Sequence, residues 1–187
     1  MKRYTVELRG VTPYLMSRFD MAALEGTTKK KSGSPNTKEH LLEEYESRAY
    51  KLPNGKYYVP STHICGCLIN AGKDIQIVGK RRSNYSKPFA ASVDVEDEAI
   101  ILDNQKPEMF TISGVNANTK GRVLIARPRF NKWNIKFNIS CTDDQISGDA
   151  IQEGLERGGM HVGIGSWRPE KRGKFGKFTV TKFKEVR

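Results

Sequence analysis

Tyr4, Val6 and Leu8 alternate with Arg3, Thr5, Glu7 and Arg9, and this period of two predicts a first strand that Gly10 and Pro13 end. Residues 16–24 fit neither the strand nor the helix period. Thr37 is placed to cap a helix on which Leu41, Tyr45 and Ala49 fall one turn apart. Pro53-Asn54-Gly55 predicts a tight turn between Tyr50-Lys51-Leu52 and Tyr57-Tyr58-Val59. Pro60-Ser61 then opens a second helix, with Ser61 as its cap, whose body over 64–71 is apolar nearly all round. Ile100-Ile101-Leu102 and Phe110-Thr111-Ile112 read as short strands.

The clearest periodicity lies over 121–141. Val123-Leu124-Ile125-Ala126 predicts one strand, and Trp133, Ile135, Phe137, Ile139 and Cys141 alternate strictly with polar neighbours in the next, which suggests a long hairpin joined through 127–132. Ser147 is a good helix cap, Ile146 and Ile151 take the positions of a hydrophobic staple, and Gly158-Gly159 is a stop signal. Met160, Val162 and Ile164 then alternate with His161, Gly163 and Gly165, as Phe178 and Val180 do with Lys177, Thr179 and Thr181. Two strands joined by a loop are expected there. Without the helical and loop insertions, the order reduces to β-α-β-β-α-β: an α+β, ferredoxin-like or RRM-like antiparallel sheet with helices on one face, a single domain over 1–187.

Composition adds a partner class. The formal net charge is +11, which favours a polyanion. Residues 25–37 are polar and carry Lys29-Lys30-Lys31, predicting a mobile basic loop, and 74–92 reads as a basic loop insertion with Lys80-Arg81-Arg82 and Lys87 and no acid between Asp74 and Asp94. Six acids then fall between Asp94 and Glu108, a solvated edge or a face for a basic neighbour. The loop joining the last expected strands carries Gly163, Gly165, Gly173 and Gly176, the cations Arg168, Lys171, Arg172, Lys174 and Lys177, Trp167, and one acid. Glycine lets another backbone approach closely, and amides flanked by cations suit a phosphate chain. The bland reading is a solvated hairpin tip. Three cysteines suit a reducing compartment, and no stretch approaches eighteen apolar residues, so a cytoplasmic chain without a membrane partner is expected.

Val59-Pro60-Ser61-Thr62-His63-Ile64-Cys65-Gly66-Cys67-Leu68-Ile69 resembles the helix opening Pro-Gly/Ser-Ser-x-x-Gly-x-Leu/Ile-Arg of the CRISPR-associated RAMP (repeat-associated mysterious protein) superfamily. Gly163-x-Gly165 with Gly173-x-x-Gly176 is similar to that superfamily's C-terminal glycine-rich loop. Where the family carries a basic residue after the helix opening, this chain has Ile69-Asn70, with Lys73 later. The resemblance is strongest to the backbone subunits that coat guide RNA, with a stand-alone, for instance phage-encoded, relative as a variant. It implies an RNA-binding, self-associating subunit of an antiviral ribonucleoprotein that meets other effector subunits.

The expected strand contacts are Arg18, Ser61, His63, Lys73, Lys80, Arg81, Arg82, Arg127, Arg129, Lys132, Trp167, Arg168, Lys171, Arg172 and Lys174, with Gly163, Gly165, Gly173 and Gly176 as the backbone loop. Trp133 is either a stacking surface or core. Some family members cleave RNA, through an aspartate after the first strand or a histidine. Asp20 and His63 are the candidates here, with His40 and His161 behind them. Asp20 is otherwise a turn residue, and His63 a solvent-facing one. His63-x-Cys65-x-Cys67 lacks a second ligand pair, so neither a metal nor a cofactor is expected. The readings are a single-stranded nucleic-acid-binding subunit, an endoribonuclease of the same fold, and a stand-alone single-stranded DNA-binding or assembly protein.

Overall fold

Tyr4, Val6 and Leu8 are buried together in Lys2–Gly10 (β1), and their polar neighbours face outward, as period two requires. The computed structural model describes residues 1–19, 37–80, 82–102, 106–115 and 120–186. After β1 come Tyr14–Leu15 (β2), Lys38–Ser47 (α1), Tyr58–Pro60 (β3), Ser61–Ala71 (α2) and Ser86–Ser92 (α3). They are followed by Val93–Val95 (β4), Ala99–Ile101 (β5), Glu108–Val115 (β6), Arg122–Phe130 (β7), Asn134–Cys141 (β8), Gly148–Arg157 (α4) and Phe178–Val186 (β9).

The main sheet among the described residues has the order β4-β8-β1-β9, all neighbours antiparallel. With α2 and α4 connecting them, β1-α2-β4-β8-α4-β9 is the βαββαβ order, an α+β ferredoxin-like fold. Ile64 and Leu68 of α2 join Ile151 and Leu155 of α4 in one core with Val6, Phe137 and Ile139. Within the 74–92 stretch, α3 seats Phe89 in that core. The remaining strands are insertions, β2-β7-β6 in one small sheet and β3-β5 in another.

Thr37 and Ser147 cap their helices, accepting from the amides of His40 and Ala150. Four expectations fail. Ser61 is not the cap of α2; Pro60 holds that position without a side-chain bond, and Ser61 is the first helical residue. The 123–141 hairpin does not form: β7 belongs to the small sheet and β8 to the main one. The expected 127–132 connection is strand up to Phe130, because Arg127, Pro128 and Arg129 pair with Phe110, Met109 and Glu108.

The fourth failure matters most for the site. Gly158-Gly159 does not stop α4, and 160–164 is not a strand. The helix runs on as a π-turn over Gly158–Val162 and ends at Gly163. Both glycines are there for space. A side chain at Gly158 would meet the Cys67 sulfur, and one at Gly159 would meet the Phe178 backbone. The widened turn lets Val162 stay buried while the chain is re-aimed into the loop.

Apart from Thr37, the 25–37 loop lies outside the described residues, as do Asp20 and Arg81. Of the acidic stretch, Glu96 pairs with Arg3 and Glu108 with Arg129 at 2.8 Å. Among the described residues no helix is long and apolar enough to cross a membrane.

Candidate nucleic-acid interface

The loop 163–177 is ordered by its own backbone. The Ile164 amide donates to Gly176 O (3.0 Å), Gly173 to Arg168 O (3.0 Å) and Phe175 to Trp167 O (3.0 Å). It is also stitched to the segment after β1. Ser166 donates to Leu15 O (2.9 Å), Gly176 to Pro13 O (2.8 Å) and Lys177 to Thr12 Oγ1 (2.9 Å), while Val11 donates back to Lys177 O (2.8 Å). Trp133 belongs to the same suture. It is only 3% exposed, and its Nε1 donates to Thr12 O at 2.8 Å, so it is core.

These bonds change what the glycines do. The amides of Gly163, Gly173 and Gly176 all donate inside the protein, Gly163 to Gly158 O at 2.7 Å. Those three amides are spent on holding the loop to itself, to the π-turn and to the segment after β1. A β-carbon at Gly173 would run into Trp167 O, and one at Gly176, where φ is +71°, into Ile164 O. The close backbone approach read from the sequence is real, but at Gly173 and Gly176 the approaching backbone is the loop itself, and at Gly165 it is Leu15 of β2.

What the fold presents outward is side chains. Trp167 is 39% exposed and held at φ +54°, and Arg172 at φ +60°, conformations that a non-glycine residue rarely takes. Such strain gathers where surrounding structure over-determines a residue for a purpose. Trp167, Ser17, His63, Gly165, Ser166, Arg168 and Lys171 line an open cleft of about 330 Å³. Arg168 is fixed across it by Glu170 (2.6 Å) and by Gly165 O (3.2 Å). Lys171, Arg172 and Lys174 are exposed, with no ion pair among the described residues. Arg18 is exposed on the segment that carries Ser17, its backbone held by Arg48 through bonds of 3.0 and 3.1 Å.

His63 forms the floor. Its Nδ1 lies 3.2 Å from the hydroxyl of the fully buried Tyr14, and Tyr50 meets the ring edge-on at 5.5 Å. Burial, helped by the Arg168 charge, pushes its pKa down to about 4. It is therefore neutral at neutral pH and a weak base. A His that charges at pH 6.5 unfolded and near 4 folded favours the native state above 6.5. That advantage is lost as pH falls from 6.5 to 4, by roughly 3 kcal/mol. Melting curves of wild type and His63→Gln at pH 7.0 and 4.5 should show the wild type losing more. Parallel losses would place the ring in water. Cys67 lies beneath the loop, its thiol pushed up to about 12 by burial.

The other expected contacts are scattered. Ser61 is half-buried at the start of α2, two residues before His63. Lys73 sits beyond the far end of α2, bonded to Asn70 at 2.7 Å and about 18 Å along the axis from Ser61. Lys80 and Arg82 are exposed on a turn beyond it, and Lys132 on the turn between β7 and β8. Arg127 is bound to Glu44 at 2.7 Å, tying β7 to α1, and Arg129 pairs with Glu108 over the Phe110 ring. His161 lies exposed on the π-turn. Tyr14, Ser17 and Tyr50, unmarked in the sequence, help build the cleft.

No protein-family model and no curated protein matches the chain. Among solved structures, a chain from a Type IV-B CRISPR complex is similar, with a TM-score of 0.51 over 97% of this chain and 90% of that one. The likeness is one of fold. Identity is 11%, so it carries over the arrangement of strands and helices and not the residues of the cleft.

Proposed function

We propose that this chain is a non-catalytic, single-stranded nucleic-acid-binding subunit of the RAMP type, acting in a CRISPR-like effector assembly with RNA as its strand. The observation that carries the reading is Trp167, exposed and held in a left-handed conformation at the lip of a cleft that Lys171 and Arg168 also line, on a loop whose Arg172 and Lys174 are exposed. An aromatic platform beside unpaired lysine and arginine is what a strand without secondary structure requires, a base on the ring and phosphates on the charges. Likeness of fold to a chain of a CRISPR complex supports the assembly, and the net charge of +11 supports the polyanion.

The test is Trp167→Ala. Loss of one stacked base should cost about 1–3 kcal/mol, or roughly fivefold to more than a hundredfold in affinity, for single-stranded RNA of any sequence. Wild-type tryptophan fluorescence should quench on titration, and the variant's should respond little, because Trp133 is enclosed. Unchanged affinity would remove Trp167 from the interface. The same RNA, single-stranded or hairpin, should stay intact with Mg²⁺ or with EDTA. Metal-independent cutting lost in His63→Gln would favour the endoribonuclease, and metal-dependent cutting lost in Asp20→Ala its target-cleaving form.

A further inference from the structure

A second cleft lies on the other side of the 50–58 hairpin. Tyr50 meets His63 and packs edge-on with Tyr58, whereas their neighbours Lys51 and Tyr57, bridged to each other, line a separate hollow of about 390 Å³. Its apolar floor is Tyr57, Leu102 and Pro107, and its rim carries Lys51, Lys56 and Lys106. No carboxylate is among the described residues that line it. The floor is firmly set. Phe130 meets the Tyr57 ring edge-on at 5.4 Å, and the Tyr45 hydroxyl donates to Pro107 O at 2.8 Å. The turn at the rim is fixed by Gly55 at φ +85° and by Asn54 Oδ1, which accepts from the Lys56 amide at 3.0 Å.

We propose that this cleft binds one nucleotide, its base stacked on Tyr57 and its phosphate held among Lys51, Lys56 and Lys106. The volume lies in the range of small-ligand sites, and an aromatic floor under a rim that carries three lysines among the described residues matches a ligand with a flat face and an anionic tail. Lys51 Nζ now stands 5.7 Å from the Tyr57 ring centre. An exposed cation–π contact is weaker than base stacking, so the amine gives way to the base and finds the phosphate instead. Free mononucleotides and residues of a strand share this chemistry.

The probes are 4-thiouridine 5′-monophosphate and a short oligonucleotide carrying one 4-thiouridine, each irradiated with the full chain. The expected crosslink is on the peptide containing Tyr57. UMP should compete about tenfold better than uridine or inorganic phosphate, because only it uses both floor and rim. Lys51→Gln with Lys106→Gln should weaken UMP about tenfold, while Lys171→Ala with Arg172→Ala leaves the Tyr57 crosslink of the mononucleotide probe unchanged. Tyr57→Leu should lower UMP to the level of phosphate, and if it folds poorly the lysine pair decides alone. A crosslink at Tyr57 with the oligonucleotide only means the nucleotide arrives as part of a strand. Phosphate competing as well as UMP, or no Tyr57 crosslink with either probe, overturns the proposal. Failure of the Trp167 cleft would show in strand binding by the Lys171 and Arg172 variant and leave the mononucleotide crosslink at Tyr57 untouched.

Discussion

Gly176→Ala is expected to lower the melting temperature by about 6–12 °C and to abolish strand binding, the largest effect of any single substitution in the loop. A left-handed φ of +71° costs an alanine on the order of 1 kcal/mol, and a methyl driven against the Ile164 carbonyl adds the roughly 1–3 kcal/mol of an overpacked contact. The bond from the Gly176 amide to Pro13 would be strained with it. Gly79→Ala separates the two causes. It has a similar φ of +80° and nothing within 4 Å, so it should lose only the torsional part. Equal shifts in thermal scans of the two variants would mean that the loop's self-contact is not what its glycines serve.

Joint replacement of Lys171, Arg172 and Lys174 by alanine should weaken binding about tenfold to a hundredfold near 0.15 M salt, evenly across sequences. Three lost phosphate contacts should also flatten the salt dependence by about 2 in slope, since each single-strand contact contributes about 0.7. Arg168 is left in place because Glu170 and Gly165 O already hold it as part of the loop. The comparison is a triple of equal charge at Lys29, Lys30 and Lys31, titrated with the same homopolymer. If the two triples lose equally, the loop acts through net charge alone and is no site.

Where a residue's neighbours in sequence decide its environment, the chain was readable. Alternation in β1 and β8, the caps at Thr37 and Ser147 and the staple of Ile146 with Ile151 led to the ferredoxin-like arrangement. Errors came where the deciding contact is distant. Met160, Val162 and Ile164 alternate, but Gly158 and Gly159 fit against Cys67 and Phe178, and that packing keeps the turn helical. Arg127 looked like a free cation until Glu44, 83 residues earlier, claimed it. In the site, the cations and Trp167 were visible as a loop composition. Tyr14, Ser17 and Tyr50 were not, because nothing local marks a residue whose partner is a loop or a ring elsewhere in the chain.

The suture between residues 11–15 and 166–177 also sets a clock. During synthesis at about 5–20 residues per second, the segment after β1 waits on the order of 10–30 s for the partners of Val11 and Thr12 to exist. Until then neither lip of the Trp167 cleft has its other half. Contacts so remote along the chain close late, after the local helices and hairpins have formed. The Trp167 cleft is therefore missing from a nascent chain, and it is complete only when the two ends of the fold have met.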